Sequence, residues 1–112
     1  MKASIEAGHA VTLDRTHSIA DGLMPVRPGD LTFAHVHRFM DDLVTVGDDQ
    51  IADAVLWLFD RASVLTEPSG AATVAAALAG AAGVDGRVVA IVSGGNVTME
   101  RLEELRRERA AQ

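Results

Sequence analysis

The chain has 112 residues, one domain's length, and 16 acidic against 10 basic side chains give it a formal charge of −6. An acidic chain without a basic patch is not built for nucleic acid, and the longest apolar stretch, residues 71–84, falls short of the about 20 residues that span a membrane. There is no cysteine, hence no disulfide frame, thiolate zinc site or thiol nucleophile, and the N-terminus lacks the apolar run of a signal peptide, so a soluble cytoplasmic protein is expected.

The apolar share, 48%, is weighted towards small side chains, with 19 alanines and only four aromatic residues, Phe33, Phe39, Trp57 and Phe59. Small side chains allow close packing but remove little area from water, at about 25 cal/mol per Å². A partner surface is therefore expected to complete the core.

In chain order, residues 2–7 read as the end of a helix stopped by Gly8. Residues 9–30 carry turn signals and little periodicity. From Asp30, with Asp30 or Thr32 as cap, Phe33, Val36 and Met40 recur on one helical face. Residues 42–46 read as a short strand closed by Gly47. A helix capped by Asp48 follows, with Ile51, Val55, Leu58, Phe59 and Ala62 as its buried stripe. Ser69 is expected to cap a small-residue helix over 70–82. The β-branched run 87–92 reads as a strand buried on both faces. It ends at Ser93-Gly94-Gly95-Asn96, and Thr98 caps a last helix with Met99, Leu102 and Leu105 on one side and a Glu103–Arg107 pair. The expected fold class is α/β: an incomplete parallel-sheet portion with two main strands and flanking helices. Two buried strands do not make a stable sheet alone, so the 112 residues are expected to be a single segment of something larger.

Few residues point to chemistry by themselves. His35 and His37 lie two apart on a helix and cannot share a metal, and no metal site is expected. The pairs Asp41-Asp42 and Asp48-Asp49 could do acid–base work or bind magnesium, but they sit where caps and turns favour aspartate. The segment Glu67-Pro68-Ser69-Gly70 is explained by helix-start chemistry. Ser93-Gly94-Gly95-Asn96 is more informative. It follows a predicted strand and precedes a helix, the place where α/β folds bind ligands. Two glycines let backbone approach a ligand closely, and a serine there can bond a ring nitrogen or a phosphate. A plain turn is the competing reading.

Five blocks in order resemble one family. They are Ser18-Ile19-Ala20-Asp21-Gly22-Leu23; Arg27-Pro28-Gly29-Asp30-Leu31-Thr32-Phe33; Asp41-Asp42-Leu43-Val44-Thr45-Val46; Glu67-Pro68-Ser69-Gly70-Ala71-Ala72; and Ser93-Gly94-Gly95-Asn96-Val97. Together they resemble the pyridoxal-phosphate-dependent serine/threonine dehydratases, the group of threonine dehydratase and serine racemase, with the tryptophan-synthase-β fold (fold type II). The resemblance is to the C-terminal part of the large cofactor-binding domain. It implies pyridoxal 5'-phosphate as cofactor and dehydration of L-serine or L-threonine to ammonia and a 2-oxo acid. Ser93 then faces the pyridine nitrogen, Gly94 and Gly95 let the loop lie against the ring, Glu67 stands near the ring, and Gly22 borders the cofactor through its backbone. The family's Schiff-base lysine and its glycine-rich phosphate loop have no counterpart here. Lys2 is the sole lysine, and its surroundings do not match. The chain alone is thus expected to be inactive, with no catalytic residue of its own. It would need a missing N-terminal portion or a companion chain, and would form a homo-oligomer when complete. A carboxylate-rich metal site of some members would fall before residue 1. The alternative is a stand-alone, non-catalytic α/β module for regulation or oligomerisation.

Overall fold

In a computed structural model, which describes residues 1–81, 83 and 85–111, five helices and one 3-10 turn follow one another. Helix α1 is Lys2–Ala7. It stops as expected at Gly8, whose φ of 73° suits a residue without Cβ. The following loop is held by Ser4, whose buried hydroxyl accepts the Val11 N–H at 3.0 Å. Residues 9–29 are irregular apart from the 3-10 turn Asp21–Leu23. Helices α2 (Asp30–Phe39), α3 (Asp48–Ala62), α4 (Pro68–Leu78) and α5 (Met99–Ala110) complete the order. Helix α4 ends at Leu78 with Ala79 as its C-cap, short of the expected end at Ala82, a residue that itself lies outside the described ones.

The core lies where α3 packs on α4 and α5 packs on α3. Ala52, Ala54, Ala71 and Ala75 let the helices approach closely. Val55, Leu58, Val74, Leu102 and Leu105 supply the larger buried side chains. In the α3 stripe, Ile51, Val55 and Leu58 are buried as expected, whereas Phe59 is half-buried and Ala62 exposed. Helix α2 buries none of its residues. Phe33, Val36 and Met40 are only half-buried, and Phe39 is 69% exposed. The radius of gyration of 14.9 Å for 112 residues exceeds the about 13 Å of a closed domain of that size.

The α/β expectation is corrected. Neither 42–46 nor 87–92 is a strand, and the described residues contain no sheet. A strand exists through its ladder of bonds to a neighbour, and these segments have no neighbouring strand. The Leu43 N–H turns instead to the Asp42 carboxylate at 2.7 Å. The Ile91 carbonyl accepts the Thr73 hydroxyl at 2.7 Å. The run 87–92 is also not buried on both faces: Val89 is 91% and Ile91 74% exposed. Its β-branched composition shows what the side chains favour, not what covers them.

Three of the expected caps are not the residues that cap. Gly47, not Asp48, caps α3, and its N–H is taken by Gln50 Oε1 at 2.8 Å. Glu67, not Ser69, caps α4, with Pro68 in the first turn. Helix α2 is capped by Gly29 rather than by Asp30 or Thr32. Thr98 does cap α5, accepting the Arg101 N–H at 3.2 Å.

Helix α5 is held to α3 by Leu102 and Leu105 and by two forked pairs on the surface. Arg106 spans Asp60 at 2.7 and 3.0 Å, and Arg109 spans Asp53 at 2.7 and 2.9 Å while reaching Asp49 at 3.1 Å. No Glu103–Arg107 pair forms among the described residues. Arg101 bridges Glu104 and Glu108 instead.

Two outcomes follow from this packing. Leu105→Ala should cost about 2–5 kcal/mol, as buried leucine truncations do, and urea unfolding measures it. A cost near zero would mean that α5 is not docked. The hydrogen bond from Arg106 holds the Asp60 carboxyl below its ordinary value. Since that folded value lies below the unfolded one, the pair adds stability above the unfolded value and loses it as pH falls through the folded one. Arg106→Ala should move the Asp60 titration, followed by carboxyl NMR, back up towards an ordinary aspartate. An unmoved midpoint would contradict the pair.

Candidate functional site

The start of α4 gathers the segments that the sequence singled out. Gly70, in the first turn of the helix, faces the 93–94 turn so closely that a Cβ there would lie 1.5 Å from the Ser93 carbonyl oxygen. Only glycine permits this approach. On the same side Thr66 is fully buried, with Oγ1 3.2 Å from the Ser93 carbonyl, 3.2 Å from that of Gly94 and 3.3 Å from that of Glu67.

Glu67 closes the turn from the other side. Its half-buried carboxylate accepts the Asn96 N–H at 2.9 Å and lies over Gly94, where a Cβ would meet Oε1 at 2.5 Å. Gly94 has a φ of 71°, so a side chain there would be both strained and obstructed. Gly95 is less constrained, its nearest neighbour being the Leu65 carbonyl at 3.7 Å. The Glu67 carboxylate is therefore engaged with the turn's backbone, a positioning contact that the sequence did not disclose.

Gly22 joins from the opposite flank. Its N–H donates to Ser69 Oγ at 2.9 Å and to Asp21 Oδ1 at 2.8 Å. A Cβ on Gly22 would sit 2.8 Å from Ser69 Oγ. The loop before it is anchored by Asp48, which accepts the Ser18 hydroxyl at 2.6 Å and the Ile19 N–H at 3.2 Å. Ser69 and Asp48, expected as caps, thus hold the 18–22 loop against α4 and α3.

Ser93 is exposed, and among the described residues its hydroxyl has no hydrogen-bond partner. A hydroxyl both donates and accepts, and here it stands at the edge of a turn whose next two residues lack side chains. Such a hydroxyl can bond a nitrogen or oxygen of a ligand that lies against the bare backbone of the turn. The turn does not supply an amine. Lys2, the single lysine, lies on α1 and lines a separate cleft of about 790 Å³ with Leu23, Val46 and Thr73, a cleft that none of Ser93, Gly94, Gly95, Glu67 and Gly22 lines. Asp41 and Asp42 line a smaller hollow with Lys2 and His37. His35 and His37 each pair with a phenylalanine on α2, and no metal-holding cluster occurs among the described residues.

Residues 1–94 match the family of pyridoxal-phosphate-dependent enzymes, and the chain belongs to that family. It is 41% identical over 106 residues to an L-threonine ammonia-lyase from Thermotoga maritima, covering 94% of this chain and 26% of that protein. It is 36% identical over 108 residues to the catabolic L-threonine dehydratase of Escherichia coli K12, covering 94% of this chain and 33% of that protein. Among solved structures it is similar to maize serine racemase, with a TM-score of 0.78 and 38% identity, covering 95% of this chain and 35% of the other. The chain therefore spans about a quarter to a third of the length of these relatives. No helix among the described residues is long and apolar enough to cross a membrane.

Sequence reasoning missed Thr66 and the close approach of Gly70. A threonine before Glu67-Pro68 carries no pattern of its own, and only its burial shows its part. Glu67→Ala should speed hydrogen exchange of the Asn96 amide by about tenfold, the worth of one hydrogen bond, whereas Glu67→Gln, which keeps an acceptor oxygen, should largely preserve protection. Equal exchange in both variants would contradict the Glu67–Asn96 bond.

Proposed function

We propose that these residues form the ring-nitrogen wall of a pyridoxal-phosphate site in an L-threonine/L-serine dehydratase, an ammonia-lyase that yields a 2-oxo acid. In this reading the chain corresponds to the C-terminal part of the large cofactor-binding domain. The observation that carries it is the exposed, unbonded Ser93 hydroxyl on a turn held rigid by Thr66, Glu67 and Gly70. The names of the relatives, with threonine as their substrate, support the reaction class.

The cofactor, when bound, draws electron density away from the substrate's α-carbon. Ser93 meets the ring nitrogen with a neutral group. Unlike a carboxylate, it does not hold that nitrogen protonated, because no opposite charge favours the charged form. This tempers the electron demand and suits elimination over amino-group transfer. Gly94 and Gly95 present bare backbone to the ring. Glu67 keeps the turn closed through Asn96. The Gly22 loop, pinned by Ser69 and Asp48, forms the neighbouring border.

The amine that holds the cofactor must come from outside these 112 residues, so the segment is not competent alone. The complete protein takes a small amino-acid substrate and works as a homo-oligomer in the cytoplasm.

The test is complementation. The 112-residue chain with pyridoxal phosphate should release no 2-oxo acid from L-threonine. Adding, as a second polypeptide, the part of the Thermotoga enzyme outside the matched 106 residues should restore release. Ser93→Ala should then lower that rate by about tenfold, one hydrogen bond's worth. Turnover by the chain alone that survives Lys2→Arg would contradict the reading.

A further inference from the structure

A second feature of α4 deepens this reading and rests on it. Thr66 stands just before the cap residue Glu67, and Gly70 and Thr73 follow on α4 three residues apart, on one helical face. All three meet the same segment. Thr73 Oγ1 donates to the Ile91 carbonyl at 2.7 Å. The Gly70 backbone lies against the Ser93 carbonyl. Thr66 Oγ1 lies within 3.2–3.3 Å of the carbonyls of Ser93, Gly94 and Glu67. The 87–92 run has no ladder of its own, so Thr66 and this face of α4, together with the packing of Val92 on the core, hold residues 91–94 in place.

Thr66 is the central member. A hydroxyl carries one proton, and three carbonyl oxygens converge on it. Because Thr66 is 0% exposed, water cannot replace it. The Ser93 and Gly94 carbonyls sit on either side of the Cα that carries φ of 71°, so a shared donor fixes the pitch of the turn there.

We propose that Thr66 is a positioning residue. Its buried hydroxyl clamps the Ser93 and Gly94 carbonyls and thereby sets the direction in which the Ser93 hydroxyl faces. Thr66 touches no reacting group and acts only through Ser93. Gly70 provides the space for the clamp, and Thr73 continues it along the segment.

The test uses the 112-residue chain without cofactor, so its outcome is independent of the complementation assay that judges the function. NMR measures amide exchange at residues 94–96 and the side-chain rotamer of Ser93 through its three-bond couplings. Thr66→Val keeps the shape and removes the hydroxyl. It should speed exchange at Gly95 and Asn96 by about tenfold and average the Ser93 rotamer. Exchange in the α3 amides should stay within about twofold. Thr66→Ser should restore both readings. An unchanged Ser93 rotamer in Thr66→Val, or failure of Thr66→Ser to restore it, overturns the proposal. Should Thr66→Val not fold, the wild-type chain decides. A separate Thr66 hydroxyl proton resonance with contacts to the Gly94 Hα supports the clamp. A hydroxyl proton merged with water overturns it.

Discussion

Where a side chain would stand on Gly70, the carbonyl oxygen of Ser93 stands instead. That close approach places the start of α4 against the glycine turn, and the other contacts of the site depend on it. With the carbonyl in place, Thr66 reaches two peptide oxygens at once and Glu67 reaches the Asn96 N–H. With a larger residue at position 70 the turn would stand off, and both bonds would lengthen beyond use.

The same economy extends to the loop on the other flank. Serine and aspartate at helix starts ordinarily satisfy the helix's own amides. Here Ser69 and Asp48 bond the backbone of residues 19–22, far away in sequence, while Gly47 and Glu67 occupy the cap positions. The helix starts trade a local contact for a distant one, and the irregular 18–22 loop gains a fixed place beside α4.

Local signals were legible in the sequence wherever the physics is local. Gly8 ends α1, Thr98 caps α5, and the apolar spacing of α3 puts Ile51, Val55 and Leu58 inside. The order of five short blocks pointed to the family, which the comparisons bear out. The predicted strands failed because a strand is a relation between two segments, and 42–46 and 87–92 have no such partner among the described residues. Val89 and Ile91 illustrate the gap: their side chains favour burial and nothing here buries them. The grouping of Glu67 with Gly94 and Asn96, and the burial of Thr66, arise from contacts nearly thirty residues apart, which no spacing rule within one helix reveals.

What joins the parts is therefore a distance between two backbones, and through-space NMR contacts in the unmodified chain measure it directly. The account predicts cross-peaks from the Gly70 Hα protons to Ser93 and Gly94, in spectra that also show contacts between α3 and α4. Spectra that show the α3–α4 contacts while Gly70 has no cross-peak to either residue would contradict it.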